Sequence, residues 1–375
     1  MYYPRSEEGK IFAMTKWREA LTLIGPRRVG KTTIAKKMLE MWIANGGQGE
    51  YFDLEMIGAP SNIYTLKKKI DALPKGSLVI LDEIQNIKNW VKLVRDEIEY
   101  KKRQLIITGS SSSLLSKEIA SSLAGRAVPE NILPISYKDA KNWGIKSLEQ
   151  YIETGGYPEC VIRPQDAKRL HKLYLELTIL RDVAARKGIR EIKPLSDLAI
   201  IMLSENGKTI SSKKTAQSVG ISQPTFRSFV DGLNDAFLIL SVPPYLHSPK
   251  ERIISDSKHY AYDTGLQRSV SISIQEDFGR RYENLIAIEL IRKGFSISYL
   301  KTDRGECDFI AQRIGTQNLA IQVWSGDEKI PEREITGLMI GMKVANAKGI
   351  LLTRMDIQNK TKKIEMKKIE DWLLE

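Results

Sequence analysis

The N-terminal part of the chain alternates short apolar runs with stretches of helical periodicity. The apolar runs lie at residues 20–24, 51–55, 78–81, 105–108 and 132–135. Each run has the length of a β-strand, and the helical stretches separate them. This alternation predicts a parallel sheet covered by helices on both faces. We therefore expect an α/β domain over residues 1–160.

A long helical pattern follows this first domain. Between residues 164 and 190, leucines recur at helical spacing with lysines and arginines between them, as at Leu170, Leu173 and Leu177. Such a stripe predicts an amphipathic helix with one apolar face. We interpret residues 161–194 as a helical lid or connector.

The next segment, residues 195–265, has the outline of a winged-helix (helix-turn-helix) domain. The pattern predicts helices over 195–203, 211–219 and 222–238, with Gly220 as the break between the second and the third. Two later runs, 240–245 and 258–263, are predicted to pair as a wing. The pattern thus predicts an α-helical module with a β-hairpin.

The last segment, residues 270–375, predicts a small α/β domain. A helix over 280–290 precedes strands over 296–300, 306–311 and 319–324. A glutamate on the helix and an aspartate on a strand, Glu283 and Asp308, stand in the order found in PD-(D/E)xK nucleases, which this segment resembles. Gln322 and Trp324 occupy the positions of the second carboxylate and the lysine. Because an amide binds Mg²⁺ poorly and an indole carries no charge, we expect a nuclease-like fold without nuclease activity.

The first chemical motif is a phosphate-binding loop. Residues 25–32 read G-P-R-R-V-G-K-T, which fits G-x-x-x-x-G-K-[ST] between a strand and a helix. Backbone N–H groups and the helix N-terminus would hold phosphates, Lys31 would reach the β- and γ-phosphates, and Thr32 would offer a hydroxyl to Mg²⁺. The alternative is a chance glycine loop. The predicted nucleotide-binding residues here are Gly25, Pro26, Arg27, Arg28, Val29, Gly30, Lys31, Thr32 and Thr33.

A second motif, the apolar run 77–81 followed by Asp82 and Glu83, looks like a Walker B strand. Asp82 would hold Mg²⁺, since hard cations prefer carboxylate oxygens. Glu83 would polarise the attacking water near the γ-phosphate. The alternative is a buried strand that ends in two solvated acids.

Three further polar residues are candidates for the same site. Thr108 and Ser110, at the end of the strand over 105–108, stand where ATPases with an additional strand place a residue that senses the γ-phosphate. They fit a helix N-cap equally well. Arg126 would supply a transition-state guanidinium, from the same chain or a neighbour, unless it is an ordinary surface arginine. Arg181 is the substitute candidate. Lys31, Glu83 and Arg126 are the predicted catalytic residues.

The helix-turn-helix segment offers a predicted DNA-binding surface. Lys213 and Lys214 would contact phosphates, and Gln223, Thr225 and Arg227 would face a DNA groove. Winged helices also serve as protein spacers, and that alternative stays open.

Composition narrows the class of protein. The net charge of +12 and the pI near 9.4 favour a polyanionic partner. Two cysteines and three scattered histidines indicate neither a disulfide framework nor a metal cluster. No apolar run reaches membrane-spanning length and the start lacks a signal peptide, so we expect a cytoplasmic protein with no membrane partner.

Taken together, the motifs resemble a widespread prokaryotic, mainly archaeal, family of AAA-type ATPases with a winged helix and a nuclease-like C-terminal domain. The resemblance rests on G-P-R-R-V-G-K-T-T, L-D-E-I-Q, I-T-G-S-S, L-A-G-R and G-G-Y-P-E, at residues 25–33, 81–85, 107–111, 123–126 and 155–159. It covers nearly the whole chain. It implies ATP and Mg²⁺ as ligands and the roles given above for Lys31, Thr32, Asp82 and Glu83.

Three functions follow as hypotheses. The favoured one is an ATP-hydrolysing switch that engages double-stranded DNA, or a DNA-bound protein, through residues 195–375, with a possible nucleotide-dependent oligomer. The second is a nucleotide-gated regulator of a protein partner in which the winged helix is a spacer. The third, an ATP-dependent nuclease, is disfavoured by Gln322 and Trp324.

Overall fold

A computed structural model describes residues 2–100, 102–109, 123, 125–246, 248–270, 278–326, 329–355 and 363–375. The chain divides into two compact units. The first comprises residues 1–133 with 235–237, and the second comprises residues 134–234 with 238–375. Within the described ranges, no helix combines the length and the apolar character needed to cross a membrane.

The first unit is built on a five-stranded parallel sheet. Its strands are β1 Ala20–Ile24, β2 Gly49–Asp53, β3 Leu78–Asp82, β4 Gln104–Thr108 and β5 Ala127–Asn131. Its helices are α1 Glu8–Met14, α2 Lys31–Ala44, α3 Ile63–Asp71 and α4 Trp90–Glu99, with a 3₁₀ turn at Ile84–Asn86. The strand order is β2-β3-β4-β1-β5, so β4 lies between the strand that precedes the phosphate loop and the strand that ends in Asp82. This is the P-loop NTPase fold, and the predicted α/β fold class is confirmed.

The burial of the central strands explains why their apolar runs predicted them correctly. Every residue of β1 and β3 is buried, as expected for central strands of a sheet with helices on both faces. The core on one face packs α1 and α2 against these strands through residues such as Ile11, Ile34, Met38 and Leu23. Because the sheet is parallel, the carboxyl ends of β1, β3 and β4 lie at one edge, where the loop and the acids follow them.

One predicted strand is misplaced. The run 132–135 was expected to be a strand, but β5 is Ala127–Asn131, and Ile132 and Leu133 are buried just after it. β5 is an edge strand of mixed polarity that contains Pro129, which an edge tolerates because one side of it pairs with none of the described strands. The apolar run therefore corresponds to the buried residues that follow β5, and the strand itself was not predicted.

The second unit begins with helices. They are α5 Tyr137–Asn142, α6 Leu148–Thr154, α7 Pro158–Ile162, α8 Ala167–Leu177, α9 Ala185–Lys187, α10 Ile192–Ser204, α11 Ser212–Ser218 and α12 Gln223–Asp235. A 3₁₀ turn at Pro164–Asp166 precedes α8, and a π-helical stretch, Thr178–Ala184, joins α8 to α9. The predicted helical stretch over 164–190 and the three helices predicted after it are confirmed.

The rest of the second unit contains two sheets. β6 Ile239–Val242 and β7 Lys258–Ala261 pair antiparallel, as predicted, and α13 Pro249–Ile254 lies between them in the chain. After α14 Thr264–Val270 and α15 Phe278–Arg292, a mixed sheet has the order β12-β11-β10-β9-β8. Its elements are β8 Ser296–Thr302, β9 Gly305–Gln312, β10 Leu319–Trp324, α16 Glu332–Val344, β11 Lys348–Thr353, β12 Ile364–Lys368 and α17 Ile369–Leu374. β8, β9 and β10 are antiparallel, whereas β10, β11 and β12 are parallel.

Candidate functional site

The phosphate loop joins β1 to α2 with two glycines in conformations that other residues avoid. Gly25 has φ 150°, and a Cβ added there would lie 2.0 Å from the carbonyl oxygen of Ile132. Gly30 has φ 97° and caps the N-terminus of the 14-residue helix α2. The backbone of the loop therefore requires both glycines, and the helix N-terminus points its free N–H groups toward the loop.

Lys31 lies inside the loop. Its ammonium donates to the carbonyl oxygens of Gly25 at 2.9 Å and Pro26 at 2.8 Å, and the residue is 8% exposed. Thr32 is half-buried beside it. Of the other predicted residues of the loop, Val29 is buried and Arg27 is half-buried. Arg28 and Thr33 are exposed, so their side chains are less suited to contact phosphate.

The N-terminal segment supports this loop, which the sequence did not indicate. The buried guanidinium of Arg5 donates to the carbonyl oxygen of Val29 at 3.1 Å and to that of Leu133 at 2.6 Å. It also lies 3.0 Å from the carboxylate of Glu7. Arg5 therefore fixes the backbone of the loop from outside it.

Asp82 lies at the carboxyl end of β3 with both carboxylate oxygens hydrogen-bonded. Tyr51, on the neighbouring β2, donates to Oδ2 at 2.5 Å, and the Thr108 hydroxyl on β4 donates to Oδ1. Burial, followed by the bond to Asp82, raises the pKa of Tyr51, so its hydroxyl stays protonated and donates. Thr108 is fully buried and orients Asp82 in the structure described; its role as a γ-phosphate sensor stays a prediction.

Glu83 adopts a backbone conformation unusual for its type. Its φ of 55° and ψ of 48° lie in the left-handed region, which a residue with a Cβ enters at a cost of about 1–2 kcal/mol. Such strain is concentrated at functional sites. Its carboxylate is half-buried and accepts a 2.5 Å bond from the Gln85 amide, whose own Oε1 is buried with no hydrogen-bond partner among the described residues.

Two candidates for the phosphate site, Ser110 and Arg126, are not placed at it by the described structure. Ser110 lies outside the described residues. Arg126 immediately precedes β5, and Ala127 pairs with Ala20 at the amino end of β1, whereas the phosphate loop begins after the carboxyl end at Ile24. Five residues of strand separate the two ends by roughly 16 Å. Arg126 also lies 3.3 Å from Glu99. A same-chain arginine finger is therefore contradicted by geometry, and only the role toward a neighbouring subunit stays a prediction.

The predicted DNA-contacting residues lie on two exposed helices. Lys213 and Lys214 on α11, and Gln223 and Arg227 on α12, are exposed, and the last two are one helical turn apart on one face. Thr225 is half-buried, and its hydroxyl is 2.8 Å from that of Ser222 at the start of α12. Its hydroxyl therefore serves the helix N-terminus, so Thr225 is the weakest of the five.

The strands predicted as a wing are covered within the second unit. All four residues of β7 are buried, and the Asn284 side chain on α15 makes two 2.8 Å bonds with the backbone N–H and C=O of Ala261. Pro243 and Tyr245, just after β6, make backbone hydrogen bonds with Tyr299 on β8. The two strands are thus part of the packing around the C-terminal sheet.

A cluster of charged residues lies between β7, α15 and β9. The buried Lys258 ammonium is 3.1 Å from Glu283 and 2.6 Å from Glu306, and Tyr260 donates to Glu283 at 2.6 Å. Asp308 is buried nearby; burial and then the charge of Glu283 raise its pKa well above the usual range. The predicted pair Glu283 and Asp308 therefore does share a cluster. No motif pointed to Lys258, which lies 25 residues before Glu283 in another element.

The order of the strands and the phosphate loop at their carboxyl ends define the class of fold: the first unit has the P-loop NTPase fold. Residues 17–140 match the family AAA_14, described as an AAA domain. Residues 145–276 match a domain of unknown function, DUF8612. The winged-helix and nuclease-like identities of the later segments therefore stay predictions.

Two relatives cover most of the chain. An uncharacterized protein of Haemophilus influenzae is 29% identical over 327 residues, which is 83% of this chain and 80% of the relative. An uncharacterized protein of Methanocaldococcus jannaschii is 35% identical over 285 residues, 68% of this chain and 63% of the relative. The chain thus resembles proteins of a bacterium and of an archaeon, and an archaeal source for this chain stays a prediction.

Solved structures show weaker likeness. The Aeropyrum pernix ORC1 protein in complex with DNA is 14% identical and has a TM-score of 0.30, with 71% of this chain and 91% of that chain covered. AMPPCP-bound DnaA from Aquifex aeolicus is 10% identical and has a TM-score of 0.32, with 63% and 90% covered. Likeness of this degree supports no inference about function.

Proposed function

We propose that this protein is a Mg²⁺-dependent, ATP-hydrolysing switch that engages double-stranded DNA, or a protein bound to DNA, through its C-terminal half. The observation that carries the ATPase part is the arrangement of one parallel sheet: Lys31 follows the carboxyl end of β1, Asp82 and Glu83 lie at the carboxyl end of β3, and β4 lies between these strands. ATP and Mg²⁺ fit these residues because the loop holds two glycines at positive φ, a buried ammonium and a half-buried hydroxyl.

The residues have separate roles in this proposal. Lys31 and the N–H groups at the start of α2 bind phosphate oxygens, and Thr32 and Asp82 hold the metal. Mg²⁺, when bound, neutralises charge on the β- and γ-phosphates. Glu83, with Gln85 beside it, positions the attacking water and accepts its proton. Tyr51 and Thr108 keep Asp82 in one orientation through their two hydrogen bonds.

The DNA part of the proposal is supported by the charge and exposure of α11 and α12. Lys213, Lys214 and Arg227 leave their cationic groups in solvent, and the chain as a whole carries a charge of +12. The second candidate function is a nucleotide-gated regulator of a protein partner. The covered β6–β7 hairpin favours it, because a hairpin that packs against the C-terminal sheet behaves as a spacer.

Salt-dependent DNA binding separates these two functions. Binding of the Glu83→Gln protein to a duplex of random sequence is measured with ATP at several salt concentrations, so that the ATP state persists. We expect Lys213→Ala/Lys214→Ala to weaken binding and to lower the slope of log K against log salt by about 2. The matched control, Lys301→Ala/Lys343→Ala, removes the same charge from exposed positions of the same unit. Duplex binding that is absent, or equal in both double variants, favours the protein partner.

A further inference from the structure

The nuclease-like order of elements in the C-terminal segment implies a divalent metal, and the residues present can be tested against it. The carbonyl oxygen of Gln322 accepts the backbone N–H of Asp308 at 3.3 Å, and its amide donates to Glu334 at 2.6 Å. Asp308 Oδ2 accepts the backbone N–H of Val323 at 2.9 Å. Among the described residues, no three Asp, Glu, His or Cys side chains are arranged to share a metal ion. The residues do not fit a metal site.

A cation of the chain itself lies in the cluster instead. Lys258 is 4% exposed, and its ammonium contacts one carboxylate on α15 and one on β9, Glu283 and Glu306. Buried ammonium groups are stable only when such partners compensate the loss of water. Asp308, the third carboxylate here, is buried, and its Oδ2 is already engaged by the backbone N–H of Val323. The exposed Lys329, which follows β10 in the chain, has no such contacts among those the structure describes.

We propose that Lys258 is the resident cation of this carboxylate cluster and takes the place that Mg²⁺ takes in nucleases of this fold. The ammonium neutralises Glu283 and Glu306 and ties β7 to α15 and β9. The cluster therefore needs no metal, and Lys258 adds an ionic attachment of the β6–β7 hairpin to the C-terminal sheet. This inference is independent of the ATPase activity proposed above.

The first test measures whether Asp308 takes part in metal binding. Thermal unfolding of the full-length wild type and of Asp308→Asn is followed without nucleotide, with and without millimolar Mn²⁺. Any Mn²⁺ bound at Asp82 affects both proteins alike. We expect the same Mn²⁺-dependent shift in Tm for both. A stabilisation by Mn²⁺ that Asp308→Asn loses would show that the cluster binds metal, and the proposal would be wrong.

The second test removes the lysine. Lys258→Met is expected to lower Tm by roughly 5–10 °C, since it leaves two carboxylates without their partner. The control is Lys208→Met, whose ammonium pairs with Glu205 at the surface and whose loss should leave Tm unchanged. An unchanged Tm in Lys258→Met would contradict the proposal.

A third variant covers the case in which Lys258→Met does not fold. Lys258→Met/Glu283→Gln removes the ammonium together with the more buried of its two carboxylate partners. Recovered folding is the expected result, because the unpaired buried charge is then gone. A double variant that still fails to fold would show that Lys258 acts through packing rather than charge, and that result overturns the proposal.

Discussion

Lys31→Ala is the substitution with the clearest expected effect on nucleotide binding. The buried ammonium makes two hydrogen bonds to carbonyl oxygens of its own loop, and these must be exchanged for phosphate oxygens when ATP binds. Two charge-assisted bonds to phosphate are worth about 3–6 kcal/mol, and the two carbonyl bonds given up offset part of this. A net loss of about 2–4 kcal/mol corresponds to a Kd roughly 30- to 1000-fold higher.

Glu83→Gln should separate binding from turnover. Glu83 makes no phosphate contact in our proposal, so the Kd for ATP should stay within about threefold of wild type. Loss of the proton acceptor should lower kcat by about 10²- to 10⁴-fold. A glutamine has nearly the same shape and can occupy the left-handed conformation at this position as the glutamate does. The variant therefore changes chemistry more than structure.

Calorimetric titration with a non-hydrolysable ATP analogue gives Kd, and phosphate release gives kcat. The control is Lys37→Ala on the same helix, because its ammonium pairs with Glu40 at 3.0 Å on the surface; both parameters should be unchanged. Lys31→Ala binding within threefold of wild type would refute the assignment of Lys31. A Glu83→Gln protein that turns over ATP at the wild-type rate would refute the assignment of the catalytic carboxylate.

The other predictions address single residues in both units. Arg126→Ala should leave ATP affinity unchanged. It should lower turnover by about 10³-fold only under conditions in which the protein assembles, since the arginine lies far from its own phosphate loop. Normal turnover of the assembled Arg126→Ala protein would show that Arg126 has a structural role. Gln85→Leu should lower kcat about tenfold or more at unchanged Kd, because the amide holds Glu83, and equal kcat would exclude that role. The wild type should not nick supercoiled plasmid in Mg²⁺ or Mn²⁺, and nicking that disappears in Asp308→Ala would show an active nuclease. Arg103→Met breaks the buried 3.0 Å ion pair with Glu97 and should lower the free energy of unfolding in urea by about 3 kcal/mol. Lys102→Met breaks a pair at the surface and should lower it by less than about 1 kcal/mol. Equal effects of the two substitutions would contradict this prediction.

The parts of the site that the sequence predicts are those carried by contiguous residues. The phosphate loop needs glycines and a lysine at fixed spacing in one turn, and Asp82 and Glu83 follow their strand directly. The partners of Asp82 are different, because Tyr51 and Thr108 reach it from neighbouring strands. A single sequence gives the alternation along β2 and β4 but not which residue of one strand faces which residue of the next.

The same limit explains the errors. Arg126 follows the polar residues after β4 closely in sequence, and that proximity suggested a place at the phosphates. The register of β5 with β1 places Arg126 at the amino ends of these strands, whereas the phosphate loop follows the carboxyl end of β1. β5 itself escaped detection because an edge strand needs fewer apolar residues than a central one. Lys258 was missed because its partners come from elements 25 and 48 residues later in the chain.

The packing of the hairpin also restricts how the second unit can engage DNA. Two hydrogen bonds from Asn284 hold Ala261, and Lys258 holds two carboxylates, so β7 cannot leave α15 without exposing buried polar groups. A DNA contact that required a free wing would have to break these bonds. The start of α12 with Gln223 and Arg227 meets no such obstacle, because their side chains are already in solvent. DNA binding should therefore depend on α11 and α12 and be insensitive to changes in β6.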